Sequence, residues 1–181
     1  NDFDVLMVGN FARDKLIVDG VEQISSGGGV YYGSMAIRRL GLKVAVATRL
    51  HPDDFPRLEE LEEAGVVVYA TQAEGTSGIA NYYRSEDMET RDCIPIGFGG
   101  CFKPENIPEI RAKAILVTPL YEGEFDLDLL GILSRRAPVG WSNKVASTLG
   151  KASDKVASAG SRAALGCAGR TSPMLRPFIH R

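Results

Sequence analysis

The sequence predicts an α/β fold: a parallel sheet with flanking helices and, beside it, a small accessory β-sheet. Three observations lead there. Strand-like apolar runs alternate with helical runs through the first 70 residues, the pattern of a parallel sheet covered on both faces. An Asp19-Gly20 step joins two short apolar runs, a strong hairpin signal. Two extended runs, 78–83 and 88–95, then interrupt the alternation around a polar turn at Ser85-Glu86-Asp87.

The opening run, 3–8, is continuously apolar around Asp4 and stops at Gly9-Asn10, as a buried parallel strand does. Residues 15–18 and 21–24 form the hairpin about Asp19-Gly20. Ser25-Ser26-Gly27-Gly28-Gly29 then enters an amphipathic helix over 29–40 that closes on Leu40-Gly41. Ser25 or Ser26 is expected to cap its first amides. A strand over 43–48 follows, then a helix over 55–64 spaced by Phe55, Leu58 and Leu61 and ended by Gly65, then a strand over 66–70. Segments 78–83 and 88–95 pair with the hairpin as a four-stranded accessory sheet. The α/β pattern resumes with a strand over 114–119 stopped by Pro119, a short helix over 126–135 and the start of a strand at 138–141.

After Trp141 the character changes. Ser, Ala and Gly dominate 142–172, and Ser142-Asn143-Lys144-Val145-Ala146-Ser147 recurs as Ser153-Asp154-Lys155-Val156-Ala157-Ser158. Val145, Leu149 and Val156 make too thin an apolar stripe to bury much, so 142–181 is expected to be a poorly ordered basic tail behind a domain spanning 1–141.

Composition narrows the function. A chain of 181 residues with 44% hydrophobic content suits one globular domain with a real core. The net charge of -2 gives no general pull toward nucleic acid or anionic membrane. The charge is uneven, however: seven Lys or Arg face the single acid Asp154 beyond residue 136. No apolar run reaches the roughly 20 residues of a membrane helix. Cys93, Cys101 and Cys167 form no CxxC pair, which suits a reducing cytoplasm, and two histidines without clustered cysteines argue against zinc. There is no GxxxxGK[ST] phosphate loop, no complete dinucleotide fingerprint, no hydrolytic triad and no basic stripe interleaved with aromatics.

What remains is a site for a polar ligand. Gly27, Gly28 and Gly29 let backbone amides approach a ligand with no Cβ in the way, at a helix start that favours polar or anionic groups. Asp14 offers two carboxylate oxygens to adjacent hydroxyls, although between Arg13 and Lys15 it also reads as a solvated loop acid. Ile79, Asn81 and Tyr83 alternate on one face of an accessory strand, and Thr118 ends a core strand, where α/β proteins hold ligands. Asp53 and Asp54 read as a helix start.

The ordered set of Gly9-Asn10 and Asp14, the hairpin, Gly27-Gly28 leading into a helix that ends Leu40-Gly41, and the second accessory pair resembles the pfkB or ribokinase-like carbohydrate kinases over about residues 3–141. The resemblance covers the N-terminal half of that family's fold. It implies an accessory lid (about 15–24 and 78–95) over a sugar or nucleoside-like substrate, with ATP and magnesium as phosphoryl donor. It also implies dimerisation through the lid strands. On this reading Asp14, Gly27, Gly28, Gly29, Asn81 and Thr118 touch the substrate. Tyr32 stands where the family commonly has a sugar-contacting Asn. The family's late DTxGAGD motif, source of the catalytic base, has no counterpart; Gly97-Phe98-Gly99-Gly100 lacks the Asp and comes too early. Two expectations follow: a carbohydrate kinase half that is inactive alone, or a non-catalytic carbohydrate-binding or dimerising chain. A truncated or frame-shifted product and a natural short protein both account for the change at Trp141. Either way, an uncovered sheet edge at 138–141 or 114–118 is expected to promote self-association.

Overall fold

A computed structural model of the chain describes residues 2–84 and 87–141. The turn residues Ser85 and Glu86 and the tail 142–181 lie outside the described residues, so the expectation of a poorly ordered tail does too.

Five strands form one parallel sheet: β1 (Asp2–Val8), β4 (Val44–Leu50), β5 (Val67–Gln72), β8 (Arg111–Val117) and β9 (Val139–Trp141), in the order β5-β4-β1-β8-β9. β1 lies at the centre, with Met7 paired to Val46 on one side and to Leu116 on the other. Because side chains alternate, β1 supplies both faces. Leu6 and Val8 pack with Phe102, Ile115 and α3 (Leu127–Arg136), whereas Met7 packs with α1 (Gly29–Arg39) and α2 (Glu59–Glu63). β4 divides likewise, with Ala45 and Ala47 toward α3 and Val44 and Val46 toward α1. Among the described residues the edges of this sheet are β5 and β9; β8 lies inside it, so the 114–118 run is not an edge.

The second sheet has the order β3-β2-β6-β7, from β2 (Ala12–Val18), β3 (Val21–Gly27), β6 (Ile79–Arg84) and β7 (Asp87–Pro95). Asp19 (φ 49°) and Gly20 (φ 78°) form the two-residue turn of the first hairpin, both left-handed as a tight hairpin requires. β2 and β6 run parallel, with Leu16 opposite Asn81, so two hairpins join through their inner strands. The hairpin reaches further than its apolar core, and Asp14 is a strand residue within it rather than a loop acid.

Two local expectations change. Neither serine caps α1: Ser25 and Ser26 belong to β3, the N-cap is Gly28, and no side chain bonds the first amides. The 55–64 run is a 3-10 segment over Pro52–Leu58 followed by the short α2, because Pro52 and Pro56 carry no N–H to donate. His51 begins it, its Nδ1 accepting from the Asp53 amide at 3.2 Å. Among the described residues no helix is long and apolar enough to cross a membrane.

Candidate functional site

The strand order reverses direction at β1: the chain moves outward from it to β4 and β5, then returns to its other side at β8. Open α/β sheets leave a crevice at such a point, outside the carboxyl ends of the strands. Here the crevice is bounded by Gly9-Asn10 after β1, Thr118 after β8 and the start of α1.

Backbone closeness defines its floor. A Cβ on Gly9 would stand 2.5 Å from the Thr118 carbonyl oxygen, and one on Gly29 would stand 2.6 Å from Thr118 Cβ. Gly28 has φ 89°, and its Cβ would lie 2.9 Å from the Asn10 carbonyl oxygen. A Cβ on Gly27 would collide with Asp14 Oδ2. Backbone oxygens thus leave no room for a Cβ at Gly9 or Gly28, whereas at Gly27 and Gly29 the side chains of Asp14 and Thr118 would have to give; the uncapped amides of an 11-residue helix open beside this turn.

Polar atoms converge on the same place. Asp14 Oδ1 accepts from the Ile79 amide at 2.8 Å, which ties β2 to the first residue of β6. Burial raises the Asp14 pKa above the usual carboxylate value, with the Ile79 amide and the Arg91 charge opposing that shift. Thr118 Oγ1 and Ser26 Oγ are both buried and have no partner among the described residues, and the same holds for Asn10 Oδ1 and Glu124 Oε1. Buried hydroxyls are normally satisfied, so two that lack a partner among the described residues, beside the glycine floor, depart from that rule.

The second sheet roofs the crevice. Ile79, Asn81 and Tyr83 alternate along β6 and share a face with Asp14 and Leu16 of β2. Asn81 is almost buried: its Nδ2 donates to the Ile79 carbonyl at 3.4 Å, and its Oδ1 accepts from Cys93 Sγ at 3.3 Å across to β7. Arg91 donates to Tyr83 Oη at 2.8 Å on that face. The structure thus brings Asp14, Gly27, Gly28, Gly29 and Thr118 together and sets Asn81 on the roof. Tyr32 stands apart: it is 61% exposed, and its hydroxyl reaches the Ser26 carbonyl at 3.4 Å from the rim.

Sequence reading missed the connections beneath the roof. Asp54, read as a helix start, accepts from Thr76 Oγ1 at 2.6 Å and pairs with Arg57 at 3.2 Å and Arg13 at 3.5 Å, fastening the base of the second sheet to the first. Ser77 accepts from the Gly99 amide at 2.8 Å, and the Tyr121 hydroxyl bonds the Gly78 carbonyl. Glu124 is fully buried on the β8–α3 loop, and burial pushes its pKa up to about 7. Nothing in the local sequence separates Glu124 from Glu122; only the packing does.

No protein-family model matches this sequence, and no curated protein matches it. Solved structures do. A sulfate complex of a pyrophosphate-dependent kinase in the ribokinase family matches with a TM-score of 0.68 at 30% identity, over 76% of this chain and 49% of that one. A pyrophosphate-dependent kinase of the same family, complexed with a pyrophosphate analogue and myo-inositol, matches with a TM-score of 0.68 at 28% identity, over 76% and 48%. A ribokinase from Cryptococcus neoformans var. grubii with ADP bound matches with a TM-score of 0.60 at 15% identity, over 78% and 49%. This chain spans about half the length of each.

Proposed function

We propose that this chain, which has the ribokinase-like fold shared with those kinases, holds the alcohol acceptor of a phosphoryl transfer. The acceptor is a sugar or sugar-like polyol, with myo-inositol the first candidate because one similar kinase binds it. The observation that carries this reading is the convergence, at one crevice, of the buried Asp14 carboxylate, the 27–29 glycine floor and two orphaned hydroxyls. A polyol hydroxyl both donates and accepts. Its protons suit Asp14, Ser26 Oγ and Thr118 Oγ1, and its lone pairs suit the free amides at the start of α1. A charged carboxylate makes the stronger of these bonds and distinguishes a vicinal pair of hydroxyls from a single one. Asn81 and Tyr83 on the roof bring a second polar face, and Tyr32 serves the rim.

Transfer also needs a base near the attacking hydroxyl and groups that stabilise the phosphates. ATP with magnesium is the donor that the resemblance implies, and the ADP-bound neighbour supports it; pyrophosphate is the donor of the two more similar kinases. Among the described residues no group of three or more His, Cys, Asp or Glu side chains is placed to hold a metal ion. The sequence also lacks a DTxGAGD motif. A second reading follows from that lack: a chain that binds a carbohydrate, and pairs with a second copy through its lid strands, without chemistry of its own.

One experiment separates these readings. The full chain is titrated calorimetrically with myo-inositol, ribose, fructose and adenosine. It is then assayed for phosphorylated product with magnesium-ATP and with magnesium-pyrophosphate. Binding of a polyol without product is the expected result. Product above a no-protein control would overturn the view that the chain lacks its catalytic part, and failure to bind any of the four would overturn the acceptor site.

A further inference from the structure

The peptide that joins Gly78 to Ile79 is gripped at both ends. Its N–H donates to Asp14 Oδ1 at 2.8 Å. Its carbonyl oxygen accepts from the Ile96 amide at 2.8 Å and from the Tyr121 hydroxyl. These two donors belong to different sheets: Ile96 directly follows β7 of the second, whereas Tyr121 lies on the loop that leaves Thr118 after β8 of the first. Tyr121 is buried, its ring centroid 6.3 Å from that of Phe98. Burial pushes the phenol pKa up, so the hydroxyl stays protonated near neutral pH and donates. Gly78 is confined as well, since a Cβ there would collide with the Arg13 carbonyl oxygen. Tyr121, the 78–79 peptide and Asp14 are thus a continuous line of hydrogen bonds from the β8–α3 loop to the carboxylate of the crevice.

We propose that Tyr121 is a positioning residue of the acceptor site, its hydroxyl fixing the 78–79 peptide and, through that peptide, the Asp14 carboxylate; this rests on the acceptor reading above. A trans peptide is planar, with its C=O and N–H pointing opposite ways, so holding the oxygen sets the direction of the hydrogen. Unpinned, that plane would turn more easily than most, because Gly78 has no side chain to resist it. Donors on the carbonyl also polarise the amide and strengthen the bond its hydrogen makes. The carboxylate at the far end has a broad preference about its last bond unless one oxygen is held. With Oδ1 given to the Ile79 amide, Oδ2 is the oxygen turned toward the glycine floor, where a Cβ on Gly27 would collide with it. A ligand hydroxyl therefore meets Oδ2 in a fixed orientation. Thr118 and Tyr121 leave the same strand end, so one loop sets both a hydroxyl of the crevice and, at one remove, its carboxylate.

The test follows the Ile79 amide of the full chain by NMR and measures myo-inositol binding by calorimetry. Bound myo-inositol should shift the Ile79 amide proton in the unaltered chain, because ligand and amide share the Asp14 carboxylate. Binding that leaves this signal unmoved would overturn the proposal, whatever the variants do. Tyr121→Phe removes the hydroxyl and keeps the ring; it should move the Ile79 amide proton upfield and weaken binding about threefold. Phe98→Leu loosens the same ring packing and leaves the hydroxyl in place, so both readings should stay as they are. An unmoved Ile79 signal or an unchanged Kd in Tyr121→Phe would sink the proposal, and so would an equal loss of affinity in Phe98→Leu, which would reduce Tyr121 to packing. No binding of myo-inositol by the unaltered chain would overturn the acceptor reading instead. An upfield Ile79 shift in Tyr121→Phe would then leave the hold of Tyr121 on the 78–79 peptide standing.

Discussion

Glu124→Gln changes stability, in a direction the buried carboxyl dictates. In the folded chain burial raises the pKa of Glu124 from 4.5 to about 7, and unfolding returns it to the lower value. A group whose pKa is raised by folding adds stability that is complete below the unfolded pKa and is lost as pH rises through the folded one. Between pH 4.5 and 7 the folded state binds more protons than the unfolded state, so this contribution falls with pH. At about 1.36 kcal/mol per unit the full loss is about 3 kcal/mol by pH 8. The side chain is fully buried, so solvent screening removes little of it. Glutamine keeps an oxygen for the Leu120 amide, and it does not titrate. Urea unfolding of both chains at pH 5, 6, 7 and 8 isolates the effect, because other titrating groups cancel in the difference. The variant should gain about 2–3 kcal/mol on the unaltered chain between pH 5 and pH 8, mostly below pH 7, the remainder of the loss having occurred below pH 5. A stability difference that stays constant across that range would refute the reasoning and mean that Glu124 titrates like an exposed carboxyl.

Three further outcomes are expected. Asp14→Asn should weaken polyol binding about tenfold by calorimetry, and Asp14→Ala more, since bonds to a charged group contribute about 1.5–3 kcal/mol and alanine also strands the Ile79 amide; unchanged affinity would remove Asp14 from the site. Gly20→Ala and Gly28→Ala both place alanine at positive φ, costing about 1–2 kcal/mol, but only Gly28 faces a backbone oxygen, so chemical denaturation should show a larger loss there and equal losses would contradict the tight floor. Tyr82 and Ile94 share the exposed face of the lid sheet, so if the chain pairs through its lid, Ile94→Lys should lower the apparent mass in concentration-dependent light scattering; a monomer throughout the micromolar range for the unaltered chain would dispose of that interface.

The sequence by itself determined the elements and their class. The apolar runs at 3–8, 43–48 and 114–119 are strands because each needs cover on both faces, and Asp19-Gly20 is a hairpin turn because few other dipeptides accept two positive φ angles. Asp14 and the 27–29 glycines were legible as a candidate site because their chemistry is local: close backbone approach and a carboxylate carry the same meaning in any fold. Other features had no local signature. Ser25 and Ser26 look like helix caps, yet strand pairing with Arg13 and Asp14 takes them, since ladder bonds outcompete one cap. Asp54 does stand in the first turn of a helix, as its sequence context implies, but that Thr76 and Arg13 meet it there from distant parts of the chain is not written locally. Glu122 and Glu124 are equivalent as letters. Only the tertiary structure buries one of them, because desolvation depends on what packs around a carboxyl and not on its neighbours along the chain.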